Sequence, residues 1–141
     1  MLVRLLYVSR AVAEDRAMLL DSVLAQSRIH NPANGITGIL CYGGDIFMQV
    51  LEGGRMEVNA LYGQILRDQR HRDVVLLDYC EIAERRFSGW TMGQVNLDKL
   101  NPSLLLRYSE RPTLDPYRVS GAVSIALLEE LLHTAAIIGR A

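Results

Sequence analysis

Apolar positions recur every second residue at the start of the chain and every third or fourth soon afterwards, so a strand is followed by a helix. In Leu2–Ser9 the two-residue period puts Val3, Leu5 and Tyr7 on one face and Leu2, Leu6 and Val8 on the other. Apolar residues on both faces predict a central strand covered on each side, with Arg4 reaching an end or edge. From Glu14 to about Ile29 the pattern turns helical. Leu20, Val23, Leu24 and Ser27 fall on one stripe, and Asp15, Arg16, Asp21 and Arg28 lie largely off it. The segment His30–Gly35 (H-N-P-A-N-G) ends this helix, since Pro32 biases Asn31 away from helical geometry and Gly35 permits positive φ.

Ile36–Tyr42 reads as a second strand, and the turn Gly43-Gly44-Asp45 folds it back on a third, Ile46–Leu51, as an antiparallel hairpin. Gly53-Gly54 precedes a second helix with Val58, Leu61, Tyr62, Ile65 and Leu66 facing inward. Arg67–Asp73 is a charged connection, Val74–Ile82 a strand, and Glu84-Arg85-Arg86 a turn or strand edge. Phe87–Val95 is a last strand holding the only tryptophan.

The order β-α-β-β-α-β-β follows. Crossovers between parallel strands return right-handed, which places both helices on one face of the sheet. The fold class is α+β, a ferredoxin-like sandwich. Its other face needs a cover, and the chain after Asn96 supplies one: a short helix near Leu97–Tyr108, a Pro-punctuated link, and a long helix from about Tyr117 to Ile138. The expected division is residues 1–96 as one domain and 97–141 as a C-terminal helical extension.

Composition narrows the class. A chain of 141 residues, half of them hydrophobic, suits a single domain with an ordinary core. A formal net charge of −1 points to neither nucleic acid nor anionic lipid. Cys41 and Cys80 match no metal spacing and read as reduced, buried thiols of a cytoplasmic protein. The N-terminus lacks the apolar run of a signal peptide. Glu129, Glu130 and His133 make a membrane span of Ala122–Ile138 costly.

Within this frame four features carry chemistry: Tyr7, Asn31, Gln49 and the Trp90–Met92 pair. Gln49 is an uncharged amide inside the apolar run F-M-Q-V-L, and a buried amide needs partners at both ends. Tyr7 lies in a strand that this fold pairs with that of Gln49, so the phenol and the amide come within hydrogen-bond reach. Both then look into the gap between the two helices, a place for a flat ligand. Asn31 at its mouth offers a donor and an acceptor, suited to a ring edge with C=O beside N–H.

The blocks L-L-Y-V-S-R-A, S-R-I-H-N-P-A-N-G-I-T-G-I-L-C-Y, F-M-Q-V-L-E-G, R-D-Q-R-H and R-R-F-S-G-W-T-M-G, in that order, resemble the BLUF domains, blue-light sensors that use FAD. The resemblance covers roughly residues 2 to 95. It implies that Tyr7 is the photoactive donor of an electron and a proton, and that Gln49 is the switch between it and the flavin. Asn31 would hold the flavin C4=O and N3 edge. Ser27, Trp90 and Met92 match positions around the switch, and Arg70 and His71, after Asp68, match the flavin's outer side. Ile36 and Ile65 would be apolar walls. FAD rather than FMN rests on the resemblance alone, since the gap mainly grips the ring.

Two other readings compete. Acylphosphatases share the plan, and Arg10 with Asn31 or Asn34 would have to serve a phosphate. The loop S-R-A-V-A-E-D has no glycine to converge backbone N–H groups, however, and Glu14-Asp15 would repel the anion. A flavin-free interaction module of the same fold is the other. For a sensor with no enzyme attached, the signal would leave by contact through the last strand and the C-terminal helices. Leu127, Leu128, Leu131, Leu132, Ala135 and Ile138 would cover the sheet, with a homodimer or an unknown downstream protein as further partners. Truncation after Asn96 is then expected to spare the photocycle and abolish its output.

Overall fold

The computed structural model describes residues 1–12, 16–134 and 136–139. Expectations about Glu14, Asp15 and Ala135 lie outside the described residues. The elements run β1 (Leu2–Ala11), α1 (Arg16–Asn34), β2 (Thr37–Gly43), β3 (Ile46–Gly54), α2 (Arg55–Arg67), β4 (His71–Ile82), β5 (Gly93–Asn96), α3 (Pro102–Leu106) and α4 (Gly121–Leu131), with a short 3-10 turn at Leu97–Lys99. The sheet is five-stranded in the order β4-β1-β3-β2-β5. Its first four strands are antiparallel neighbours, and β5 joins parallel to β2. This is the ferredoxin-like arrangement, with β1 an interior strand between β4 and β3 as its two apolar faces require.

The alternation along β1 sorts the core into two. Val3, Leu5 and Tyr7 pack with Leu19, Leu24 and Val58 beneath α1 and α2. Leu6 packs on the other side with Ile39, Met48, Val50 and the C-terminal residues Leu105, Leu127, Leu128 and Leu131. The extension therefore covers the far face of the sheet. At the start of α4, Gly121 lies against the Leu77 carbonyl, where any Cβ would collide with β4.

Several boundaries depart from expectation, each for a local reason. The α1 helix does not stop at His30. Pro32 sits inside its last turn, and Gly35 at φ 65° closes it. The missing Pro32 N–H costs one hydrogen bond in the last turn of the helix, with little helix beyond it to disturb. The strand β4 begins at His71, inside the supposed charged connection. The Asp68 carbonyl accepts from His71 N at 3.1 Å, and the charges then point out from an edge strand with two register shifts and Asp73 at φ 52°.

The last strand is only Gly93–Asn96, because Phe87–Met92 forms an irregular strap. The long C-terminal helix is likewise shorter than expected. Ser120 caps its start by accepting from Val123 N at 3.2 Å. Thr134 Oγ1 donates to the Leu131 carbonyl at 2.9 Å beyond its end, and Ile138 then pairs with Gln94 at the β5 edge. Leu66, expected to face inward, is mostly exposed. No helix among the described residues is long and apolar enough to cross a membrane.

Candidate functional site

Register alone places the central pair. Tyr7 on β1 stands directly opposite Gln49 on β3, so both side chains rise from the same face toward the helices. The Tyr7 hydroxyl donates to Gln49 Oε1 at 2.6 Å, and Gln49 Nε2 donates to Met92 Sδ at 3.3 Å. All three residues are buried. Burial first, then the neighbouring Tyr62 and Asp68, push the Tyr7 phenol well above its ordinary range. Its proton therefore stays on at any physiological pH. A thioether sulfur is a weak acceptor, so the Gln49 amide is under-satisfied for so buried a group.

Above this pair α1 and α2 stand apart and leave a cavity of about 760 Å³. Of the expected residues, Tyr7, Ser27, Asn31, Ile36, Gln49, Ile65, Arg70 and His71 all line it. Asn31, on the last turn of α1, donates from Nδ2 to the Thr91 carbonyl at 2.9 Å, which ties the cavity mouth to the strap. Met92 meets the site through Gln49. Trp90 does not line the cavity. The strap turns it into the opposite core beside Phe87; positions 90 and 92 would share a face in a regular strand, and the irregular backbone between them sends the two side chains to different cores. The resemblance matched Trp90 and Met92 to positions around the switch without fixing which way either faces; here neither lines the cavity itself, Met92 reaching it through Gln49 and Trp90 facing away.

The outer rim is electrostatically organised. Arg70 grips Asp68 from Nε at 3.0 Å and Nη2 at 2.8 Å, and this hydrogen bonding holds the Asp68 carboxyl below its usual value. His71 Nδ1 and Ser9 Oγ share a hydrogen bond of 2.7 Å. The His71 ring stands edge-on to Tyr7, with centroids 6.4 Å apart. Burial, the leading cause, lowers the affinity of His71 for a proton; nearby Asp68 opposes this and Arg70 adds to it.

A lowered native value means that the unfolded chain binds the proton more readily. The contribution of His71 to stability is thus fully present above about pH 6.5 and lost as the pH falls from there through its native value. Urea unfolding between pH 7 and 5 is expected to show falling stability, and His71→Gln should flatten that slope. An unchanged slope in the variant would assign the loss to other groups.

The sequence reading missed Gln26, His30, Asn34, Met56, Glu57 and Gln64, which also line the cavity. The signal was present: Val23, Ser27, His30 and Asn34 continue one helical stripe, and Glu57, Leu61, Gln64 and Asp68 continue the other. Polar ends on an inward stripe mark a wet gap rather than a dry core. Among the described residues no His, Cys, Asp and Glu cluster is arranged to hold a metal ion.

Comparison with known proteins bears on the same region. The family model for sensors of blue light using FAD (BLUF) matches residues 2–93. Photoactivated adenylate cyclase subunit alpha of Euglena gracilis is 37% identical over 84 residues, which is 60% of this chain and 8% of that protein. The chain thus spans less than a tenth of that curated relative. Among solved structures, BlsA in its photo-activated state superposes with a TM-score of 0.85 at 33% identity, covering 96% of this chain and 98% of that one. Klebsiella pneumoniae BlrP1, with FMN and cyclic diGMP, superposes with a TM-score of 0.70 at 32% identity, covering 93% of this chain and 36% of that one.

Proposed function

The chain belongs to the BLUF family of blue-light sensors, which bind flavin, and from that premise we propose a photoreceptor switched by Tyr7 and Gln49 around FAD. The observation that carries this reading is the buried chain from the Tyr7 hydroxyl through the Gln49 amide to Met92 Sδ, set against the floor of a cavity. The residues present suit a flavin. The volume is that of a small-molecule site, its walls are the apolar Ile36 and Ile65, and Asn31 and Gln49 are amides able to meet ring carbonyls and N–H groups. Ser27, Arg70 and His71 complete the set that would hold it.

Bound there, the flavin supplies absorption of blue light and, when excited, a strong oxidant. On excitation Tyr7 would give the ring an electron and, by way of Gln49 Oε1, the atom its O–H already contacts, its hydroxyl proton, and both would return to the phenol as the amide rearranges. Gln49 then rotates or tautomerises, which exchanges donor for acceptor toward the cavity and toward Met92. A buried amide with two nearly balanced hydrogen-bond arrangements is a bistable element, and the light-driven step moves the population from one to the other. A donor newly aimed at a ring carbonyl lowers the excitation energy slightly, so the absorption moves to the red.

Residues 1–96 form the flavin-binding domain in this reading and residues 97–141 the relay. We assign the chain a sensing role in the cytoplasm rather than a reaction of its own, with output through contact with an unidentified protein or a second copy. The far-face core shared by Met48, Phe87 and the leucines of α4 supports such a route, since β3 and the strap both touch it. The same core argues that truncation after Asn96 would bare the sheet, so point substitutions are the cleaner probe of the relay. The chromophore is tested by chromatography of what the purified, heat-denatured protein releases. FAD is expected. FMN would change the cofactor, and a colourless protein that takes up neither would overturn the reading.

A further inference from the structure

The strands β4 and β5 lie at opposite edges of the sheet, so residues 83–92 must cross it to join them. This strap carries both Trp90 and Met92, and it is pinned at one buried charge. Glu52 is fully buried at the end of β3. Its Oε1 accepts from Phe87 N at 2.7 Å, its Oε2 accepts from Arg86 N at 3.1 Å, and Arg4 Nε donates to Oε2 at 2.9 Å. A carboxylate is kept in such a place only where donors replace its water. Here two of those donors are strap backbone.

Beyond the pin, Gly38 N donates to the Trp90 carbonyl at 3.0 Å and Asn31 reaches the Thr91 carbonyl. Met92 Sδ then sits on the Gln49 amide, three residues from Glu52 along the same strand. The strap therefore leaves β3 at Glu52 and returns to it at Gln49.

We infer that Glu52 is a positioning residue for the photocycle: it sets the strap so that Met92 lies on Gln49 and Trp90 stays in the far core. The inference rests on the photoreceptor reading for its kinetic part only. On the photoreceptor reading the Met92 contact is assigned to the dark arrangement of Gln49, so weakening its support removes a contact that favours return to the dark. A glutamine at position 52 keeps the size but turns one acceptor into an NH₂ facing a backbone N–H, so one pin is lost.

The test compares the flavin-loaded wild type, Glu52→Gln, and Leu105→Ala, a truncation in α3 that loosens the same far-face core as Trp90 but leaves every bond of the Glu52 pin in place. Trp90 is the only tryptophan, so its fluorescence reports the strap directly. In Glu52→Gln, acrylamide quenching of Trp90 should rise several-fold and dark recovery should slow several-fold, with neither effect in Leu105→Ala. Unchanged quenching, unchanged or faster recovery, or the same changes in Leu105→Ala would overturn the inference.

Should Glu52→Gln not fold, Arg85→Gln takes its place, because Arg85 Nη1 joins the strap to Thr37 Oγ1 at 3.0 Å and to the Glu52 carbonyl at 3.3 Å. The same outcomes then decide. A wild type without any photocycle would sink the photoreceptor reading, while the quenching comparison would still judge the pin.

Discussion

Gln49→Leu is expected to retain flavin and its blue absorption band while losing the light-induced red shift altogether. Leucine fills a similar space but has neither the acceptor that meets Tyr7 nor the donor that meets Met92. Nothing is then left to rotate or tautomerise, and the loss should be complete rather than graded. The substitution also strands the Tyr7 hydroxyl in the core, at a cost of about 1–3 kcal/mol.

Tyr7→Phe removes that orphan together with the electron and proton donor, so it should be equally silent in light. The double variant should be more stable than Gln49→Leu alone. Light-minus-dark spectra and urea unfolding of the three variants measure both effects. A red shift that survives in Gln49→Leu would remove the amide from the mechanism.

The largest effect on stability is expected from the far side of the sheet. Leu128 on α4 is fully buried in the far-face core, with Leu6 of β1, Ile39 of β2 and Met48 and Val50 of β3. Leu128→Ala should cost about 2–5 kcal/mol, from lost burial and from a cavity that a sheet on one side and a helix on the other cannot close. Against a total of about 5–15 kcal/mol for such a domain, that loss is readily seen in the urea midpoint. A change below about 1 kcal/mol would mean that the packing around α4 collapses to fill the gap. It would also undercut the role of the extension as a structural part of the sheet.

The most legible parts of the chain were those whose periodicity was undisturbed. The alternation of Val3, Leu5 and Tyr7 against Leu6 anticipated two covered faces, and both cores exist. The facing of Tyr7 and Gln49 followed from fold and strand position, because pairing in register leaves little freedom on one face. Asn31 was legible as a site residue, although the helix carrying it runs further than Pro32 suggested.

What failed to show in the sequence was set by tertiary contacts. Phe87–Met92 reads as a strand because its residues favour one, yet the N–H groups of Phe87 and of Arg86 just before it are taken by the Glu52 carboxylate rather than by a neighbouring strand. That buried glutamate carried no local signal, and neither did the consequent facing of Trp90 away from the cavity. Arg67–Asp73 reads as a charged connection, although β4 begins within it, because an edge strand can keep its charges in water. The apolar run near the C-terminus promised a longer helix than Gly121–Leu131. The chain instead spends Ile138 on pairing with Gln94.

The most direct test of the photoreceptor account is the absorption spectrum of the purified protein before blue light, immediately after it, and through its relaxation in the dark. The account predicts a flavin band that moves slightly to the red without loss of intensity and returns in darkness. A protein without flavin, or a flavin band that bleaches in light instead of shifting, would contradict it.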